Sequence, residues 1–247
     1  MPRVVVLIPA YNERATIASV VHQIRDAAPG YDIAVINDGS RDDTAAIVAG
    51  LDGAVLLDLP CNLGIGGAMQ TGYIYALRQG YDIAVQCDAD GQHPVDQLER
   101  LVGRVLDGTA DVVIGSRYVA DTGYQPSFVR RLGKSLLSRW VDALIGGGVT
   151  DTTSGFRAMN SRAFSIFAHS YPEDYPEPEA LVILHRHGLR VAEIPVRMLP
   201  RQGGESSIRP HSALYYMVKV ALAIFIDLFR HYRPHTHPDA EQHEEQS

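Results

Sequence analysis

Residues 83–93 read IAVQCDADGQH, an apolar, strand-like run that ends in two carboxylates, Asp88 and Asp90, with only Ala89 between them. Anions that close repel one another unless they share a divalent cation, and hard oxygen ligands suit Mg²⁺ or Mn²⁺. Asp is also favoured in turns because it bonds its own backbone. The pair is therefore a metal site or an acidic turn, and its surroundings decide which.

The same grammar recurs on either side. Short β-rich runs at 4–8, 33–36, 55–59, 83–87 and 112–114 alternate with helix-length amphipathic segments at 14–28, 42–50, 67–79 and 95–107. Such alternation predicts an α/β fold with a doubly wound, mainly parallel sheet. Ligands of these sheets sit outside the carboxyl ends of the strands. The polar clusters PAYNE, NDGS, CNLGIGGA, DADGQH and GSR fall at those ends, one after each successive strand. Beyond Tyr118 the pattern predicts a helix over 128–146, a loop GGGVTDTTSGFR, helices over 161–169 and 177–187, a strand over 190–198 and a loop PRQGGESSIRP. This second half reads as the acceptor side of one domain spanning 1–210.

Composition narrows the class. A chain of 247 residues with 46% hydrophobic and 21% charged residues is ordinary for a soluble globular domain with an ample core. The net charge of −7 argues against general nucleic-acid binding, which relies on clustered Lys and Arg. Cys61 and Cys87 have neither pairing nor metal-ligand spacing, which fits a reducing cytosol. The apolar run after Arg3 is too short for an export leader and reads as the first strand.

Several motifs have a bland reading beside the functional one. Asp38 in NDGS could accept hydrogen bonds from a base or ribose, or cap the following helix, for which Ser40 is better placed. Tyr11 could stack on a base or simply pack. GIGGAMQTG puts Met69 where a dinucleotide fingerprint needs its third glycine, and it follows the third strand instead of the first. Its glycines are expected to let backbone approach a ligand closely.

PAYNE at 9–13, NDGS at 37–40, DADGQH at 88–93 and GSR at 115–117, in that order and at successive strand ends, resemble the inverting family 2 glycosyltransferases of GT-A fold. DTTSGFRAMN and RQGGESS add a resemblance to the dolichyl-phosphate mannose synthase and polyprenyl-phosphate glycosyltransferase branch, over about residues 3–210. The resemblance implies a Rossmann-like half in which Pro9, Tyr11, Glu13, Asp38 and Asp88 hold a nucleotide-diphosphate sugar. It implies that Asp88, Asp90 and Gln92 hold Mg²⁺ or Mn²⁺ against the diphosphate. Arg117, Arg131 and Ser135 would contact the phosphate of a polyprenyl phosphate, and Arg201 the donor phosphate.

A phosphate acceptor is already anionic, whereas a sugar hydroxyl needs a base. Glu177 and Glu179, at the start of a helix, sit where related enzymes with hydroxyl acceptors place that base. Acids also favour a helix N-terminus for dipole reasons. Three functions therefore stay open: transfer to a lipid phosphate, which the residues favour; transfer to a saccharide or glycolipid hydroxyl; and a nucleotide-sugar-binding subunit without turnover.

The segment 211–233 carries Ser212, Tyr216, Lys219, Ala223, Asp227 and Arg230 as one polar or small stripe on an otherwise apolar helix. Lys219 and Asp227 leave too short an apolar core to span a bilayer of about 30 Å. An amphipathic helix at the membrane interface is expected, or one packed on the domain or on a second copy. The expected location is the cytoplasmic face of the membrane, held peripherally, with a separate small membrane subunit as a further partner. Residues 234–247 form a polar tail expected to be disordered.

Overall fold

The computed structural model describes residues 2–119, 148–172 and 176–200. Seven strands form one sheet: β1 (Val4–Ala10), β2 (Asp32–Asn37), β3 (Ala54–Asp58), β4 (Ile83–Gln86), β5 (Val112–Ser116), β6 (Arg157–Asn160) and β7 (Val191–Pro195). The helices are α1 (Ile17–Ala27), α2 (Thr44–Ala49), α3 (Gly64–Arg78), α4 (Leu98–Leu106), α5 (Ser161–His169) and α6 (Pro176–Arg186). The strand order is β3-β2-β1-β4-β6-β5-β7. The α/β fold with a mainly parallel sheet is as expected. The helix expected over 128–146, with Arg131 and Ser135, lies outside the described residues, as do Arg201, the 211–233 helix and the tail.

Alternation along the strands produces the two-faced core. In β1, Val5 and Leu7 face one layer, while Val4, Val6, Ile8 and Ala10 face the other. The first layer is closed by α3, α5 and α6 through Met69, Tyr73, Phe164, Phe167 and Leu181. The second is closed by α1 and α4, whose Ile17, Val20, Val21, Ile24 and Leu98, Leu101, Val102, Val105 recur at the spacing of one helical face. Strands buried on both sides read as nearly continuous apolar runs, as 4–8 and 83–87 do.

One strand escaped the sequence pattern. β6, read as the end of a loop, runs antiparallel between β4 and β5, with Gln86 opposite Arg157 and Val113 opposite Ala158. It is four residues long and begins with an arginine, so it carries no apolar run to announce it. Arg157 is 1% exposed and is satisfied by donating from Nε to the Ser154 carbonyl (2.6 Å) and from Nη2 to the Glu177 carbonyl (3.1 Å).

One local expectation is corrected, and one glycine of GIGGAMQTG is given a packing role. Ser40 does not cap α2: its Oγ accepts from the Asn12 N–H (2.9 Å), and Asp42 Oδ1 accepts from the Thr44 N–H at the helix start (3.0 Å). In GIGGAMQTG, Gly72 serves packing, because a Cβ there would lie 3.1 Å from Leu7 and 3.2 Å from Ile36, so α3 sits tightly on the sheet. Gly39 is the constrained turn glycine: φ is +62°, and a Cβ would lie 2.6 Å from the Cys61 backbone carbon.

These environments predict opposite outcomes for two glycine substitutions. Gly39→Ala should lower Tm by about 5–10 °C, because a positive φ and a backbone clash together cost about 2–4 kcal/mol. Gly103→Ala, within α4 and with open space around its Cβ position, should raise Tm by about 1–3 °C. Thermal unfolding followed by circular dichroism measures both.

Candidate active site

The loops after β1 and β2 are tied to one another. The Asp38 N–H donates to the Ala10 carbonyl (2.9 Å) and the Glu13 N–H to Thr44 Oγ1 (2.9 Å), while Asn12 accepts at Oδ1 from the Arg41 N–H (2.8 Å). Asn12 itself holds a positive φ of 56°. Asp38 is 4% exposed, and its Oδ1 accepts from the Leu63 N–H (2.7 Å), which binds the third strand-end loop to the second. Burial pushes its carboxyl up, against the lowering effect of the Leu63 and Gly64 N–H groups. Tyr11 is 42% exposed, Pro9 is buried within β1, and Glu13 Oε2 accepts from Thr16 Oγ1 (2.9 Å). The nucleotide-side residues thus sit on three cross-linked loops.

The acidic loop leaves β4 beside β1, where the Cys87 N–H donates to the Leu7 carbonyl (3.0 Å). Asp90 is 8% exposed and accepts at Oδ1 from the Gln92 N–H (3.0 Å), a turn closed at Gly91 with φ of 74°. The Asp88 side chain is 40% exposed. His93 holds Asp88 from beneath: its Nδ1 accepts from the Asp88 N–H (2.9 Å), which leaves the proton on Nε2, 3.4 Å from Asp88 Oδ2. The imidazole is 6% exposed and stacks at 4.9 Å on Phe156. Across the loop, a Cβ on Gly155 would lie 3.0 Å from Gln86 Nε2 and 3.3 Å from the Asp88 carboxylate, so any larger residue would push on both side chains.

This arrangement fits a divalent cation held jointly with a ligand. Asp88, Asp90 and Gln92 offer hard oxygen donors, and among the described residues no group of three or more His, Cys, Asp or Glu forms a complete protein cage. Mg²⁺ and similar ions are commonly held by one or two carboxylates, with phosphate oxygens and water completing the shell.

Arg117, just beyond β5, is held by a carboxylate that no sequence motif singles out. Asp151, 1% exposed, accepts from Arg117 Nε (2.7 Å), Nη2 (2.6 Å) and the backbone N–H (3.1 Å); Thr153 Oγ1 accepts again from Nη2 (2.9 Å). Asp151 is in turn placed by Glu193 of β7, which accepts from the backbone N–H groups of Thr150 (2.9 Å) and Asp151 (2.7 Å). Bidentate pairs of this kind fix the plane of the guanidinium.

Acidic loop and arginine meet at a cavity of about 620 Å³, lined by Asp88, Gln92, His93, Arg117, residues 153–155 and residues 197–200. The last group belongs to the chain leaving β7, anchored where the Leu199 N–H donates to the Gln92 carbonyl (2.8 Å). Glu177 and Glu179, in the first turn of α6, do not line it. Burial pushes the Glu177 carboxyl up, opposed by Arg157 and raised further by Asp88. Asp88, Gln92 and Arg117 therefore come together, whereas Tyr11, Glu13 and Asp38 lie on the neighbouring loops. His93, Asp151, Glu193 and Arg197 carry roles that sequence reasoning missed. The DADGQH motif contained His93, whereas the partners of Asp151 and Glu193 are set by distant pairings and Arg197 reaches the cavity through the course of the chain after β7.

The pair with the buried Asp151 gives Arg117 a structural role. Removing one partner of a buried ion pair typically costs about 3–5 kcal/mol because the other charge is stranded. Arg117→Ala should lower Tm by roughly 10 °C or more, and the double variant Arg117→Ala/Asp151→Asn should recover a measurable part of that loss. Calorimetry on the two variants checks this.

The family model described as Glycosyl transferase family 2 matches residues 5–167. The chain is similar to the polyprenol monophosphomannose synthase of Mycolicibacterium smegmatis, 32% identical over 89% of this chain and 86% of that one. It is similar to the undecaprenyl-phosphate mannosyltransferase of Micrococcus luteus, 34% identical over 83% of this chain and 87% of that one. Among solved structures, glucosyl-3-phosphoglycerate synthase from Mycobacterium tuberculosis, in complex with Mn²⁺, uridine-diphosphate-glucose and phosphoglyceric acid, superposes with a TM-score of 0.69. That match has 26% identity and covers 92% of this chain and 79% of that one. Family match, sheet order and strand-end motifs agree: the chain belongs to glycosyl transferase family 2 and is a glycosyltransferase of GT-A fold.

Proposed function

We propose that the protein moves a hexosyl group from a nucleoside-diphosphate sugar to a polyprenyl phosphate, with inversion and with Mg²⁺ or Mn²⁺. The observation that carries the choice of acceptor is the lining of the cavity, which includes Arg117 and Arg197 but neither Glu177 nor Glu179. An anionic phosphate oxygen attacks without losing a proton, so a wall that carries Arg117 and Arg197, and whose one carboxylate among the described lining residues, Asp88, suits the cation, fits such an acceptor. The names of the two relatives, both transferring mannose to a polyprenyl phosphate, support the same acceptor class.

The chain's own residues do three things in this reading. Asp38, Tyr11, Glu13 and the backbone around Pro9 receive the nucleotide on the cross-linked loops. Asp88, Asp90 and Gln92 hold the divalent cation, which, when bound, offsets the charge gathering on the departing diphosphate. Arg117 orients the acceptor, whose phosphate oxygen forms a bond to the anomeric carbon on the face opposite the breaking bond to the diphosphate. Arg131, Ser135 and Arg201 are proposed phosphate contacts that lie outside the described residues.

Peripheral attachment to the cytoplasmic face of a membrane belongs to this proposal. No helix among the described residues is long and apolar enough to cross a membrane. The 211–233 segment is the proposed attachment, with a small membrane subunit or a second copy of the chain as candidate partners.

One observation favours transfer to a sugar hydroxyl: burial raises the Glu177 carboxyl, as befits a general base. The two readings differ in their mutants. Under lipid-phosphate transfer, Glu177→Gln and Glu179→Gln keep most of their turnover; under hydroxyl transfer, one of them falls by about 10²- to 10⁴-fold. Asp90→Asn should abolish transfer and cation-dependent nucleotide binding with the fold intact. All three are read by incubating labelled nucleotide sugars with polyprenyl phosphate in detergent and extracting product into organic solvent. Wild-type protein that yields no extractable product with any donor refutes the proposal.

A further inference from the structure

The charged groups at the cavity wall are nearly all spoken for within the chain. Arg117 is met by the buried Asp151 in a bidentate pair. His93 is engaged at both ring nitrogens by Asp88. The acidic residues of the loop suit the divalent cation. Arg197 is different. It projects from the chain just after β7, lines the cavity beside Met198 and Leu199, is exposed, and has no hydrogen-bond or ion-pair partner among the described residues.

Its neighbours explain why the guanidinium stays at the wall. Val196 is buried in the core, 2% exposed, and its N–H donates to the Ser116 carbonyl (2.9 Å). Three residues later, the Leu199 N–H is held by the Gln92 carbonyl. Arg197 is thus pinned on both sides, between the strand that delivers Arg117 and the loop that delivers Asp88 and Gln92. Solvated arginines are common, but this one is fixed beside a cavity whose other charges are balanced. With a divalent cation on the acidic loop, the wall would keep one uncompensated positive charge, from Arg197.

We infer that Arg197 is a phosphate-binding residue of this cavity, adding a charge with no partner among the described residues to the one that Arg117 shares with Asp151. Guanidinium groups bind phosphate oxygens bidentately. Two phosphates could fill that role: the monoester of the acceptor and the diphosphate of the donor. The assignment to the acceptor rests on the proposed lipid-phosphate function; the assignment to a phosphate does not.

The test uses the full chain with Arg197→Ala and Arg197→Lys, neither of which removes an internal contact, so Tm should match the wild type. Acceptor KM is measured with polyprenyl phosphate at saturating donor, and binding of nucleoside diphosphate with Mn²⁺ is measured by calorimetry. A rise in acceptor KM of roughly 10- to 100-fold in Arg197→Ala, partial recovery in Arg197→Lys and unchanged nucleotide affinity assign Arg197 to the acceptor phosphate. A comparable loss of nucleotide affinity with unchanged acceptor KM assigns it to the donor diphosphate. Wild-type values for both in Arg197→Ala overturn the inference. Should the wild type make no lipid product, the acceptor reading fails, and the nucleotide arm, with inorganic phosphate titrated as a second probe, still decides whether Arg197 binds phosphate.

Discussion

One buried carboxylate, Asp151, organises the arginine side of the cavity. Charge taken out of water must be paired and hydrogen-bonded or it destabilises the fold; the Asp151 carboxylate is satisfied by Arg117 and Thr153, while its backbone is held by Glu193. Arg117 arrives from β5; the backbone on either side of Thr150 is fixed by Glu193 from β7. The chain leaving β7 then reaches the acidic loop through Leu199 and Gln92. Strand pairing, cavity wall and cation loop are therefore one connected structure, and the position of Arg117 is a property of the sheet as much as of the loop.

On the opposite side the constraint is steric. Asp88 is clasped by His93 below and crowded by Gly155 across, and Asp90 is closed into its own turn by the Gln92 N–H. The proposed cation site, with only two protein carboxylates, would have little rigidity of its own, so orientation would come from what surrounds the ligands. The Phe156 ring under His93 supplies that support from the same segment that provides Gly155. One short stretch, 151–157, thus serves both the arginine and the acids.

Much of the fold was legible because its signals are local. Apolar runs such as 4–8 and 83–87, each followed by polar or glycine-rich punctuation, located the parallel strands and the ligand-binding edge within a residue or two of where they lie. Asp88, Gln92 and Arg117, which meet at the cavity, stand out in the sequence for the same reason: they follow strands directly. β6 was not, because its identity depends on two neighbours and not on its own composition, and a buried Arg157 contradicts any apolar pattern. Asp151 and Glu193 were hidden likewise. Asp151 looks like a loop acid and Glu193 like a solvent-facing strand residue until the fold sets them beside groups 34 and 42 residues away.

The reversed strand has a further consequence, for the order in which the molecule can be assembled. β4 and β5 follow one another in the chain yet never touch; the seam between them is filled by β6, which begins at Arg157. While the polypeptide is being made, the β1–β4 half is finished well before that filler exists, and its growing edge stays unpaired. An open parallel edge invites pairing with other chains. The nascent N-terminal half is therefore the stage most exposed to aggregation, and a ribosome paused short of β6 leaves the sheet in two unjoined pieces.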